Sequence, residues 1–135
     1  MSQENVEIIR AALAAYNARE MDTLREYFDP DVVHRSAEGA LDDAGELHGI
    51  DALFAHYRDW LDLFDDLQME ILELREAGDR VVAWVRQHGH ANKSGVQTEL
   101  SFGLVYRLRD GLVVESQEYL EFDQALATAG PPAQT

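Results

Sequence analysis

No cysteine occurs anywhere in the chain, which removes disulfides, thiolate metal sites and cysteine nucleophiles together. Lysine is nearly absent as well. Lys93 stands alone in the polar turn "ANKSG", a poor place for the desolvated amine that Schiff-base chemistry needs. Basic residues total 11 against 26 acidic ones, for a net charge of −15. So acidic a surface repels phosphate backbones and anionic lipid, and neither nucleic acid nor a membrane is expected as a partner. Apolar runs of the ~20 residues needed to span a bilayer are missing. The acidic start "MSQENVEIIR" lacks a signal-peptide core, so the expected location is cytoplasmic. No Gly-rich phosphate loop appears, and no organic cofactor is expected.

What remains is 135 residues, 46% apolar and 27% charged, enough to fold around one core. Residues 1–127 are expected to form a single α+β domain and 128–135 a disordered tail. Val6, Ile9, Leu13 and Tyr16 repeat at helical spacing. Asp22 is placed to cap a short second helix carrying Leu24, Tyr27 and Phe28, which "DPD" at 29–31 should stop. A short strand is expected over 32–37 and a long polar loop over 38–49. Ile50, Leu53, Phe54, Tyr57, Leu61 and Phe64 mark a third helix.

Beyond residue 66 the period becomes two. Leu67, Met69 and Ile71 alternate; "VVAWVRQHGH" (81–90) and residues 98–108 are further strands; "RDG" (109–111) signals a hairpin into a last strand over 112–122. The even positions of 98–108 include Phe102, Leu104 and Tyr106 and are assigned to the interior. In 81–90 the even face carries Trp84, Arg86, His88 and His90, the odd face Val81, Ala83, Val85 and Gln87. The even face is assigned inward because Trp84 needs covering, which leaves the small odd face for a partner subunit. His88-Gly89-His90 has a two-histidine metal spacing, but the next acidic residue, Glu99, lies beyond a turn. No metal is expected.

"AAYNAREMDTLREYFDPDVVHR", "GIDALFAHYRDW" (49–60) and "YRLRDGLVVESQEYLEFD" (106–123) resemble the SnoaL-like branch of the nuclear transport factor two superfamily. The likeness covers residues from about 4 to 127, nearly the whole chain. It implies a cystatin-like cone: three N-terminal helices in the concave face of a strongly curved, mostly antiparallel sheet. It also implies a cavity between helices and sheet, and a homodimer through the outer sheet face. By the same resemblance His34 and Ser36 of the first strand point inward, and Glu118 stands where the family's cyclases carry an acid/base carboxylate. Gln117 replaces the aromatic usual beside it. Ala12, Ser36 and Leu104 stand where ketosteroid isomerases keep their tyrosine, aspartate and protonated aspartic acid, so that activity is not implied.

The resemblance fixes the fold better than the reaction. Expected catalytic groups are Glu118, with His34, Tyr57 and His88 as partners; Tyr16, Trp60, Trp84, Phe102, Leu104 and Tyr106 are expected to line a site for a small apolar, carbonyl-bearing molecule. Isomerase, cyclase or hydrolase chemistry would follow. The alternative is a non-catalytic binding or dimerisation module, in which the same aromatics are core and Glu118 a solvated strand carboxylate.

Overall fold

The computed structural model describes residues 2–37 and 45–129, and its elements run in the order the periodicities suggest, with two additions. Helices α1 (Ser2–Asn17) and α2 (Met21–Arg25) lead into β1 (Phe28–Arg35). A short β2 (Glu46–His48) precedes α3 (Ile50–Leu61); then come β3 (Gln68–Ala77), β4 (Arg80–His90), β5 (Gln97–Arg109), β6 (Leu112–Tyr119) and α4 (Phe122–Ala129). The strands form one sheet in the order β2-β1-β6-β5-β4-β3. All neighbours are antiparallel except β1 and β6. Among the described residues, no helix is long and apolar enough to cross a membrane.

One face of the sheet holds the main core. Ile9, Leu13 and Tyr16 of α1 and Leu53, Phe54 and Leu61 of α3 bury against Val81, Ala83 and Val85 of β4 and Phe102, Leu104 and Tyr106 of β5. The helical stripes and the even face of β5 therefore meet, as their periods require.

The junction after α1 ties helix to sheet. Asn17 Nδ2 donates to the Met69 carbonyl and Asn17 Oδ1 accepts from the Met69 N–H, both at 2.8 Å. Its side chain thus pairs with the start of β3 as a strand backbone would. Arg19, at φ 62°, donates through Nη2 to the Leu67 carbonyl at 2.7 Å. Asn17→Ala should cost about 2 kcal/mol in chemical denaturation, because two part-buried hydrogen bonds vanish and the Met69 groups lose their partner.

Several boundaries differ from expectation. Asp22 does not cap α2: Glu20 occupies that position, without a side-chain bond. Phe28 begins β1 rather than ending a helix, and Pro30 lies within that strand. The strand tolerates proline because its pairing with β6 is interrupted between Phe28 and Val33. Residues 46–48, assigned to a loop, pair with β1, whereas residues 38–44 lie outside the described residues. The hairpin expected at "RDG" is a turn with positive φ at both Asp110 (54°) and Gly111 (80°), the twist that suits two antiparallel strands.

The largest addition is α4. The chain continues past β6 into a helix through Ala129, where a strand end and the start of a disordered tail were expected; residues 130–135 lie outside the described residues. Among the described residues four helices therefore accompany the sheet, one of them after the last strand. Ala125, fully buried, packs with Phe122 and Leu126 on Val82 and Val105, which lie on the face opposite the main core. Gly103 makes room for it: a Cβ there would stand 3.0 Å from Ala125 Cβ.

Candidate functional site

A cavity of ≈ 50 Å³ opens between the helices and the inner face of the sheet. Its aromatic wall is Tyr16, Tyr57, Trp60, Phe102 and Tyr106, with Leu13, Met69 and Leu104 completing the apolar lining. Tyr16 and Tyr57 meet edge to face with ring centres 5.5 Å apart, which joins α1 to α3 across the cavity. The polar lining is His34, His56, Gln87, Ser116 and Glu118.

Strand pairing explains how these groups converge. β5 pairs Leu104 with Glu118 and Tyr106 with Ser116, so the alternation that turns Leu104 inward turns Ser116 and Glu118 inward too. β1 then places His34 beside Ser116. His34 Nδ1 lies 2.7 Å from Ser116 Oγ in a buried hydrogen bond, and Nε2 lies 3.8 Å from Glu118 Oε2. Glu118 also accepts from the Ala37 N–H at 3.4 Å, just where β1 has stopped pairing. His34 is 2% exposed, Ser116 1% and Glu118 8%. A hydroxyl hydrogen-bonded to an imidazole, and an acid at ion-pair distance from it, thus lie together screened from water, where electrostatic coupling is stronger than at a surface.

Tyr106 adds a hydroxyl that stays protonated. Burial raises its pKa strongly, and the neighbouring Glu118 and then Tyr16 raise it further. The phenol is therefore a donor at any physiological pH. A raised folded-state pKa also sets a sign. Its stability contribution is whole below the unfolded tyrosine value of about 10 and drains away as pH rises toward the folded one. The stability gap between wild type and Tyr106→Phe should be flat below that pH. Above it the gap should move in the variant's favour by about 1.4 kcal/mol per pH unit in urea titrations.

Of the expected residues, Tyr16, His34, Tyr57, Trp60, Phe102, Leu104, Tyr106 and Glu118 come together on this cavity. Trp84 and His88 do not. β4 pairs Trp84 with Gly103 and His88 with Glu99, the odd face of β5, so the even face of β4 points away from the cavity. Trp84 is covered instead by α4, with its ring 5.3 Å from that of Phe122. The small face of Val81, Ala83 and Val85, assigned to a partner subunit, is the inner wall. His90 is held by Asp66: Nδ1 lies 2.9 Å from Oδ2 and the backbone N–H donates to Oδ1 at 2.7 Å. Those hydrogen bonds hold the Asp66 carboxyl below the usual carboxylate range. Among the described residues no three His, Asp or Glu side chains gather as a metal site. Replacing His88 by Ala should change stability by under about 0.5 kcal/mol and leave the cavity untouched, as thermal melts and ligand titrations would show.

Five lining residues went unassigned from sequence: Leu13, His56, Met69, Gln87 and Ser116. Ser116 was within reach, lying two residues from Glu118 on one strand face. Gln87 was hidden by the inverted face of β4.

The chain's solved structural relatives share this architecture at low identity. Bal32a, from a soil-derived mobile gene cassette, is 25% identical with a TM-score of 0.79, over 87% of this chain and 89% of that one. A putative SnoaL-like polyketide cyclase from Jannaschia sp. CCS1 is 20% identical, with a TM-score of 0.78 over 98% and 96% of the two chains. A protein with a ketosteroid isomerase-like fold from Catenulispora acidiphila, solved in complex with trimethylamine, is 21% identical, with a TM-score of 0.72 over 93% and 94%. No curated protein matches the chain. The SnoaL-like domain model matches residues 9–116, from the middle of α1 to the His34-bonded serine of β6, and the chain belongs to that family.

Proposed function

We propose that the chain binds a small, largely apolar carbonyl compound in this cavity and moves a proton at the carbon beside the carbonyl. The observation that carries the reading is the buried Glu118–His34 pair on the lining of a largely apolar cavity. A carboxylate there can take the α-proton while the C–H electron pair moves onto the carbonyl oxygen as an enolate; returning the proton to carbon closes the cycle. Tyr106, kept protonated, and Tyr57 supply hydroxyls to the lining. His34, braced by Ser116, stands 3.8 Å from Glu118, at ion-pair rather than hydrogen-bond distance, where it can steady the carboxylate's charge.

Cavity size narrows the ligand. A cavity of 150 Å³ holds benzene, about three times the volume found here, so a multi-ring substrate does not fit this conformation. The trimethylamine complex of the Catenulispora protein is a precedent for so small a ligand in the fold. The test is solvent exchange: in D₂O the protein should speed deuterium incorporation into the methyl groups of acetone, read by proton NMR. Binding without exchange would support the second reading, a non-catalytic module, which the small cavity also favours.

A homodimer through the outer sheet face is proposed on the same footing, using the part that α4 leaves open around Leu72 and the Arg86–Glu70 pair (2.6 Å). Sedimentation at micromolar concentration should then give twice the monomer mass; the monomer mass would exclude the dimer.

A further inference from the structure

Gln87 is a carboxamide where the strand pattern calls for a hydrocarbon. Its companions on the inner face of β4 are Val81, Ala83 and Val85, all buried, and its cross-strand partners are Met69 and Leu100. Only 3% of it is exposed. Burying an amide in such surroundings is costly unless its donors and acceptor are used.

The acceptor is used. Trp60 Nε1, which can only donate, gives its hydrogen to Gln87 Oε1 at 3.2 Å. That bond settles which end of the amide faces the indole, and it directs the Nε2 group elsewhere. Among the described residues Nε2 makes no hydrogen bond, and Gln87 borders the cavity. The amide's two N–H donors are therefore left to whatever occupies it.

We infer that Gln87 binds the oxygen of a neutral carbonyl ligand through its amide N–H groups, and that Trp60 acts as the positioning residue that holds the amide in this orientation. The inference rests on the reading of the cavity as a small-molecule site, and it names the handle by which the ligand is held. The ligand class follows from the lining. Donors without a fixed positive charge suit a ketone, aldehyde, ester or amide oxygen, while the Glu118 carboxyl on the same cavity disfavours an anionic acid. As an α C–H bond breaks, charge grows on that oxygen, and a pre-oriented donor then counts for more than in the ground state. Gln87 and Glu118 would thus act on two ends of one carbonyl–α-carbon unit, from strands separated only by β5.

Two probes of nearly equal shape separate the possibilities: acetone, and 2-methylpropene, which has a methylene in place of the oxygen. Each is titrated into ¹⁵N-labelled protein and followed by NMR. Acetone is expected to shift the Gln87 side-chain amide and Trp60 indole resonances, and 2-methylpropene to leave the amide pair nearly still. In Gln87→Met and Gln87→Leu the ratio of acetone to 2-methylpropene affinity should fall about tenfold, one hydrogen bond's worth. Trp60→Phe should lower the same acetone to 2-methylpropene ratio several-fold, whereas lost packing alone would weaken both probes alike and leave the ratio unchanged. An unchanged ratio in both Gln87 variants overturns the inference while leaving the cavity as a binding site. Binding of neither probe to the wild type overturns both the inference and the proposed function.

Discussion

Glu118→Gln should abolish most of any α-proton exchange while leaving the fold in place. The substitution keeps the shape and the acceptor for the Ala37 N–H but removes the basic oxygen. General-base catalysis contributes ~10²–10⁴-fold, so exchange into acetone should fall at least about a hundredfold. His34→Ala should fall less, because His34 meets the reacting proton through Glu118, at 3.8 Å, rather than directly. Both variants need a thermal melt beside the kinetics, since removing either member leaves its partner buried in altered company. A Glu118→Gln protein that melts like the wild type and exchanges at full rate would take the carboxylate out of the mechanism.

The second large effect is on stability. Trp84→Ala should cost about 3 kcal/mol, near the low end for large aromatic truncations because the ring is only half-buried. The loss comes from the far side of the sheet, where Trp84 stacks on Phe122 and α4 docks over Val82 and Val105. Acetone binding, scaled to the folded fraction, should not change. Equal damage to stability and binding would mean that the two faces of the sheet are coupled, and equal damage to neither would mean that α4 contributes little.

That contrast also shows what the sequence could and could not say. The alternation of β5 is unambiguous and places Phe102, Leu104 and Tyr106 inside; Glu118 is legible only through the family resemblance, and the pairing of Leu104 with Glu118 supplies the physical reason it faces inward. The helical stripes carry Tyr16 and Tyr57 to the same cavity, and Trp60, beside the α3 stripe, joins them. Strand β4 failed for a specific reason. Its face depends on how the turn around residues 91–96 sets the register, and that register pairs even residues of β4 with odd residues of β5. The pattern allows either a tryptophan or three small residues plus a glutamine to be buried, and the size of the tryptophan argues for covering it. It needed only α4. That helix is hard to read because "FDQALATA" is short, its Phe122, Ala125 and Leu126 spacing covers little more than one turn, and it lies beside a proline-containing tail. One missed helix therefore inverted one strand, sending Trp84 and His88 inward on paper and hiding Gln87. Ser116 shares a strand face with Glu118, two residues away, but its role shows only once His34 is placed 2.7 Å from it.

The most direct measurement of the central claim is where a small ketone sits. Intermolecular nuclear Overhauser effects from the methyl protons of acetone, bound to protein labelled at Leu methyls and aromatic rings, locate it. Contacts to Leu13, Leu104, Tyr16 and Phe102, with none to Trp84, are what the account predicts. Contacts confined to Trp84 and the surface around α4, or a saturating ligand that touches none of the cavity residues, would contradict it.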